Sequence, residues 1–336
     1  IPQGDWSSDV CSSDLCIKPS TFTRKRITGH TGTIKCLDWS ASGNLLASCG
    51  SDRTVRIWNS QRNYKCENTF SFSNHISQVK WSPVAEDVIA CTFDKEYVKI
   101  WNIDDRETMI SVQLTGYTDF LSWSPDGRFV AVENDKGTVY IINASTGTFM
   151  SVKVDKSASP VRNELCWGLD STCLFVASKG DGIGRVDMIV YNEEKRVFQN
   201  EGFMDCHMGE CTTIDIDRKH YNLVTGSTDT FVCVIDCNEM IVINSIKCQK
   251  TGIRCVRWTA EGKNVAICSE DGVIAIVGPT SGTVKCCFEI SKDSYVFANH
   301  PKKTITAVAS MGPKDTLVDI EIVHWKVSSV CWKTRL

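Results

Sequence analysis

Three side chains early in the chain have the makings of a nucleophilic triad. His30, Ser48 and Asp52 are the base, hydroxyl and orienting carboxylate that acyl transfer uses. The same types recur as His207, Thr225 and Asp229. They recur in part as His75 and Asp94, where Ala90 stands in place of the hydroxyl. A set that repeats along a chain and does without its hydroxyl reads as a structural strut. A half-buried aspartate needs donors, and an imidazole with turn amides provides them. Trp58 and Trp101 complete the first two sets, Ile235 replaces tryptophan in the later one, and Asp271 marks one more. Other chemistry is thinner. Cys206-His207 with Cys211 has the types of a zinc site, but no second cluster has ligand spacing. Cys286-Cys287 places one thiol on each face of a strand. Gly180 to Gly184 resembles a phosphate loop but lacks the Lys-Ser/Thr that follows one. The expectation is no catalytic residue, no cofactor and no metal.

The elements that must position the struts follow from a period of 42 residues. Tryptophan ends an apolar stretch at Trp39, Trp81 and Trp123, with Trp167, Ile216, Trp258 and Asn299 in the equivalent places. An aspartate follows about thirteen residues later: Asp52, Asp94, Asp135, Asp181, Asp229 and Asp271. Between them lies a second strand, and after the aspartate a third: TVRIWN (54–59), YVKIWN (97–102), TVYIIN (138–143), DMIVYN (187–192), FVCVID (231–236) and VIAIVG (273–278). A fourth, more variable strand completes each unit. The runs are rich in Val, Ile, Tyr, Phe and Thr and show no helical period.

Composition limits what such a chain can do. Of 336 residues, 42% are hydrophobic and 23% charged, which excludes disorder for the bulk. The net charge of −3 argues against phosphate neutralisation as the main source of affinity, so RNA contact is expected to be indirect or weak. The basic run Arg24, Lys25 and Arg26 is the one candidate for contact with nucleic acid or an acidic partner. No run of eighteen apolar residues spans a membrane, and no small-molecule substrate is expected. The start lacks a basic segment followed by an apolar one, so no signal peptide is expected. There are 18 cysteines and no CxxC pair; Cys36, Cys173, Cys233, Cys255 and Cys268 sit in apolar runs. They read as small buried hydrophobes in a reducing compartment, cytosol or nucleus.

A four-stranded antiparallel unit leaves two apolar faces that it cannot bury alone. Stacking such units around an axis buries face against face, and closing the circle protects the edges. The period and the pairs Trp58-Asn59, Trp101-Asn102, Ile142-Asn143, Tyr191-Asn192 and Ile235-Asp236 are those of WD40 repeats. The expected fold is all-β, a seven-bladed WD40 β-propeller over 27–325. Residues 16–26 are expected to supply a ring-closing strand with Phe22 turned inward, and TLVDIEIVHW (316–325) the third strand of a degenerate seventh blade. Residues 1–15 read as an in-frame translation of a sequencing adapter or as disordered chain, and 326–336 as a tail.

The order of the atypical blades resembles the THO complex subunit 3 family, the WD40 component of the THO/TREX mRNA-export assembly. The segments that carry this are SWSPDGRFVAVENDKGTVYIINASTG (122–147), VRNELCWGLDSTCLFVASKGDG (161–182), LVTGSTDTFVCVIDCNEM (223–240), ICSEDGVIAIVGPTSG (267–282) and Phe297 to Lys302. The resemblance covers about residues 24–310. It implies a non-catalytic scaffold in the nucleus that binds other THO/TREX subunits and couples transcription to mRNA processing and export. The alternative is another WD40 adaptor, such as a ubiquitin-ligase substrate receptor or a trafficking scaffold. A propeller enzyme needs a polar site converging in the central channel, and no such constellation is visible in the sequence.

Overall fold

A computed structural model describes residues 22–326, except 95, 96, 107, 155–163, 181, 248, 261, 292, 293, 295 and 311–317. The adapter-like residues 1–15, Asp181, residues 161–163 of the fourth-blade motif and the tail beyond 326 lie outside the described residues.

The described chain is twenty-eight strands in seven four-stranded antiparallel sheets, with no helix among the described residues. Strand β1 (Phe22–Ile27) precedes the first complete blade, made of β2 (Ile34–Trp39), β3 (Leu45–Gly50), β4 (Thr54–Asn59) and β5 (Lys65–Ser71). The second is β6 (Ile76–Trp81), β7 (Val88–Phe93), β8 (Tyr97–Asn102) and β9 (Thr108–Gln113). The third is β10 (Thr118–Trp123), β11 (Phe129–Asn134), β12 (Thr138–Asn143) and β13 (Phe149–Lys153). The fourth is β14 (Leu165–Trp167), β15 (Cys173–Gly180), β16 (Ile183–Asn192) and β17 (Val197–His207). The fifth is β18 (Cys211–Asp217), β19 (Asn222–Ser227), β20 (Val232–Asp236) and β21 (Ile241–Ile246). The sixth is β22 (Ile253–Trp258), β23 (Val265–Ser269), β24 (Val273–Val277) and β25 (Val284–Glu289). The seventh draws on both ends: β26 (Phe297–Asn299), β27 (Ile305–Ser310) and β28 (Asp319–Trp325), with β1 as its outer strand. Phe22 pairs with Trp325 and Ile27 with Ile320, and the Phe22 ring meets Phe288 of the sixth blade at 5.6 Å. The fold is a seven-bladed β-propeller.

Burial explains the strand sequences. Second strands such as β3 and β7 are buried on both faces and are apolar almost throughout. The outer β5 alternates exposed and half-buried residues, as expected where one face meets water. Seven apolar clusters fill the molecule, each shared by two neighbouring blades. Ile76, Val79 and Ile89 pack with Cys49, Val55 and Ile57 between blades one and two, and Ile27, Ile305 and Ile322 pack with Leu37 and Leu46 between seven and one. The others join two to three, three to four, four to five, five to six and six to seven. One cluster per junction is the physical content of closure.

The 42-residue period is also a hydrogen-bond period. The Trp81 indole donates to the Asp38 carbonyl (3.2 Å), Trp123 to Lys80 (3.2 Å) and Trp167 to Ser122 (3.1 Å). Trp39 donates to Ala298 across the closing junction (3.2 Å). Each indole therefore reaches the residue just before its counterpart in the preceding blade. Asn299 keeps the function with its amide, donating to the Trp258 carbonyl at 3.2 Å. In several blades the turn after the first strand uses a left-handed residue. Gly43 (φ 77°) and Gly127 (φ 73°) supply it, and Ser171 (φ 62°) takes the place in blade four.

Candidate functional site

The first strut assembles in full. His30 Nδ1 donates to Asp52 Oδ2 at 2.8 Å, so Nε2 accepts from Ser48 Oγ at 2.6 Å, and the Trp58 indole donates to the same oxygen at 2.8 Å. Asp52 also accepts from Thr31 N, Thr54 N and Thr54 Oγ1. Burial alone would raise its carboxyl, but the His30 contact and these bonds outweigh it and hold the group well below the usual carboxylate range. The connectivity is that of a hydrolase triad. Ser48, however, is fully buried and capped by the indole, so its oxygen has no path to a substrate.

In the fifth blade His207 Nδ1 lies 3.2 Å from Asp229 Oδ2 and Nε2 lies 2.9 Å from Thr225 Oγ1. Burial lowers the His207 imidazole, with Asp229 pulling the other way. The Asp229 carboxyl is lowered despite its burial, by the Phe231 amide, His207 and other donors. Ile235 occupies the register of Trp58, opposite Leu223 as Trp58 is opposite Leu46, and brings no donor.

The second set does not assemble, a correction to the sequence reading. His75 is exposed and its Nδ1 lies 2.5 Å from the Ser51 carbonyl, which can only accept. Trp101 Nε1 and Asp94 Oδ1 have no hydrogen-bond partner. Ala90 accounts for the indole: without a hydroxyl there is nothing in that place for Trp101 to bind as Trp58 binds Ser48. Asp271 is also no strut. It accepts from Ser269 Oγ within its own turn, and Gln249 precedes its blade's first strand where His30 precedes β2. The basic run also has partners within the fold. Arg24 pairs with Glu321 (3.1 Å) and donates to the Glu289 carbonyl (2.7 Å). Lys25 donates to the Asn63 carbonyl (2.7 Å) over the Tyr64 ring, and Arg26 Nε donates to Asp319 (2.6 Å). These cations join β1 to its neighbours.

The central channel holds what the sequence reading missed. A cavity of about 310 Å³ is lined by first strands of all seven blades. Lys80 Nζ lies 3.3 Å from Asp38, and burial, which would lower the ammonium, is outweighed by that carboxylate, so it is held above its usual range. Arg257 makes a two-pronged pair with Glu164, one contact at 2.9 Å. Burial raises the Asp215 carboxyl, with Arg257 and the Trp258 amide opposing. Asp38, Lys80, Asp215 and Arg257 each sit one residue before the tryptophan position of their repeats. That shared offset was the available signal. The carboxylates are engaged in blade-to-blade bonds. Asp38 accepts the Trp81 amide (2.8 Å), Asp215 the Trp258 amide (2.7 Å), and Glu164 the Ile214 amide (3.2 Å) and the Thr213 hydroxyl (2.6 Å).

The thiols are mostly core. Cys36, Cys233, Cys255 and Cys268 are buried, whereas Cys173 is only partly so; burial pushes Cys255 and Cys173 up to about 12, which keeps them protonated and weakly nucleophilic. One cluster differs: potential ligand atoms of Cys206, His207 and Cys211 all lie within 4.8 Å of one another. No helix among the described residues is long and apolar enough to cross a membrane.

The family described as "WD domain, G-beta repeat" matches residues 21–59 and 241–277. Each match runs from the outer strand of one blade through three strands of the next, so the sequence repeat is staggered by one strand from the blade. THO complex subunit 3 of Arabidopsis thaliana is 25% identical over 258 residues, covering 76% of this chain and 79% of that protein. WD repeat-containing protein AAC3 of Dictyostelium discoideum is 22% identical over 248 residues, 67% of this chain and 51% of that one. Protein HIR1 of Cryptococcus neoformans is 35% identical over 125 residues, 34% of this chain and 14% of its own length. The chain is thus a propeller of WD40 repeats that is similar to all three.

Proposed function

We propose that this protein is a non-catalytic scaffold subunit of a THO-type assembly in the nucleus, holding other subunits while transcription is coupled to mRNA processing and export. The observation that carries the reading is the extent of the similarity to THO complex subunit 3, most of both chains rather than a few repeats. The physics agrees. A closed ring with an apolar cluster at every junction is a rigid body, and its two faces and outer strands offer wide surfaces that need no rearrangement to bind. The triad-like sets and the channel charges are committed to holding blades together, which supports a passive role.

The test is affinity capture of the tagged full chain from nuclear extract. Co-purification of helical THO subunits at near-equal stoichiometry is the expected outcome. Recovery of cullin-type ligase components in their place would assign the chain to a different class of adaptor.

A further inference from the structure

The fifth-blade strut differs from the first in the residues around its histidine, and the differences share one chemistry. Cys206 is the residue before the histidine, where the first blade has Gly29. Cys211 begins β18, paired with Ser227 as Ile34 is paired with Gly50. Cys233 sits opposite Thr225, where Arg56 sits opposite Ser48. Three positions that are Gly, Ile and Arg around His30 are therefore all cysteine around His207. The fold brings them together from β17, β18 and β20. Ligand atoms of Cys206, His207 and Cys211 fall within 4.8 Å of one another, and Cys233 Sγ is 3.8 Å from His207 Nδ1 and 3.2 Å from the Cys206 carbonyl.

We propose that Cys206, His207, Cys211 and Cys233 form a binding site for a soft closed-shell cation, zinc(II) above all, at the junction of blades four and five. Three thiolates and one imidazole are a complete tetrahedral donor set for zinc. For Cys206, His207 and Cys211 the gap between 4.8 Å and the shorter ligand separations of a bound ion is a contraction that side-chain rotation can supply, and Cys233, 3.8 Å from His207 Nδ1, would have to turn its thiol inward to join them.

His207 can change partners at little cost. Its Nδ1 faces Cys233, and its bond to Asp229 is longer than the matching bond in blade one, 3.2 Å against 2.8 Å. If Nδ1 binds the ion, the Nε2 proton still goes to Thr225 Oγ1, which fixes the ring from behind as second partners of metal-bound histidines do. Asp229 keeps the Met208 amide at 3.0 Å and the Phe231 amide at 2.9 Å. Binding releases one proton from each thiol that becomes a ligand, and no electrons move. The sequence hid the fourth ligand because Cys233 lies 22 residues beyond Cys211 and only strand pairing brings it close.

The test uses the full chain, stripped of metal by chelation under reducing conditions and titrated with cobalt(II) and then zinc(II). The expected result is about one tightly bound cobalt per chain, with a thiolate charge-transfer band and the visible bands of tetrahedral coordination, both abolished by zinc. Zinc should also raise the melting temperature. Cys206→Ser, at a partly exposed position, should weaken zinc at least about tenfold and remain folded by circular dichroism. Cys206→Ser/Cys211→Ser should lose the cobalt spectrum. A wild-type protein with no cobalt–thiolate band overturns the proposal. So does a folded Cys206→Ser protein that binds as the wild type does, since the band would then belong to other cysteines. Neither outcome bears on the scaffold reading, which needs no metal.

Discussion

Asp52 is fixed by a histidine, two backbone amides and a threonine hydroxyl, so truncating it leaves the buried His30 and the partly buried Thr54 donors without an acceptor. Asp52→Ala should lower the free energy of unfolding by about 1–3 kcal/mol, read from urea melts at neutral pH. Asp229→Ala should fall in the lower part of that range, because its histidine contact is longer and no indole joins the set. The pH dependence has a definite sign. The Asp52 carboxyl sits below its unfolded value of about 3.9, so its contribution is complete above that pH and fades as the pH falls toward the folded value. The gap between wild type and Asp52→Ala should therefore narrow below about pH 4. Identical midpoints at pH 7 for wild type and both variants would remove the strut role. The first and fifth struts were legible because the same residue types return at the same spacing. The failure of the second was half legible. Ala90 was visible, but that His75 would turn out to Ser51 depends on a carbonyl from another blade. The channel charges were illegible as a group because aspartate, lysine and arginine at one repeat position share no type, only a place in the ring.

Among the strands, the clearest sequence signal was the pair that ends the third strand in five blades, and the structure explains why asparagine and aspartate interchange there. Asn59 Oδ1 accepts the amides of Gln61 and Arg62, Asn143 Oδ1 those of Ser145 and Thr146, and Asp236 Oδ1 those of Asn238 and Glu239. The turn needs one side-chain oxygen, which either residue offers. The seventh blade was hard to read for the converse reason. Its third strand, β28, ends in His324-Trp325 without that cap, and its outer strand, β1, comes from the far end of the sequence. The cations on β1 then become a test of what that strand does. Arg26 meets Asp319, which is buried, whereas Arg24 meets Glu321 in a more exposed pair. Arg26→Ala leaves a buried carboxylate short of its partner and should cost about 1–3 kcal/mol, while Arg24→Ala should stay within about 1 kcal/mol. Thermal melts in moderate salt measure both. If both variants melt with the wild type, these residues do not hold the ring closed.

At the scale of the whole ring, stability is largely a sum over junctions, because each apolar cluster is shared only by neighbouring blades. The tryptophan stitch covers most junctions but is interrupted around blade five, where Ile216 has no donor and the Trp258 indole has no partner. There the channel network takes its place. Glu164 of blade four accepts Thr213 and Ile214 of blade five, Thr213 Oγ1 accepts the Val256 amide of blade six at 3.1 Å, and Arg257 of blade six returns to Glu164. This loop spans three blades, so its members should act as a unit. Glu164→Ala removes the two-pronged partner of Arg257 in a confined channel and leaves it only the Asp215 carboxylate nearby, so it should destabilise by no more than the low end of about 3–5 kcal/mol. Once Glu164 is gone, removing Arg257 as well removes the stranded charge, so Glu164→Ala/Arg257→Ala should be less destabilised than the sum of the two single variants by about 0.5–3 kcal/mol. Equilibrium unfolding of wild type, both singles and the double variant gives this coupling directly. Additive losses would mean that the pair is solvated and the channel merely wet. Coupling would show that charges aligned by the repeat secure the stretch of the ring that lacks its tryptophan hydrogen bonds.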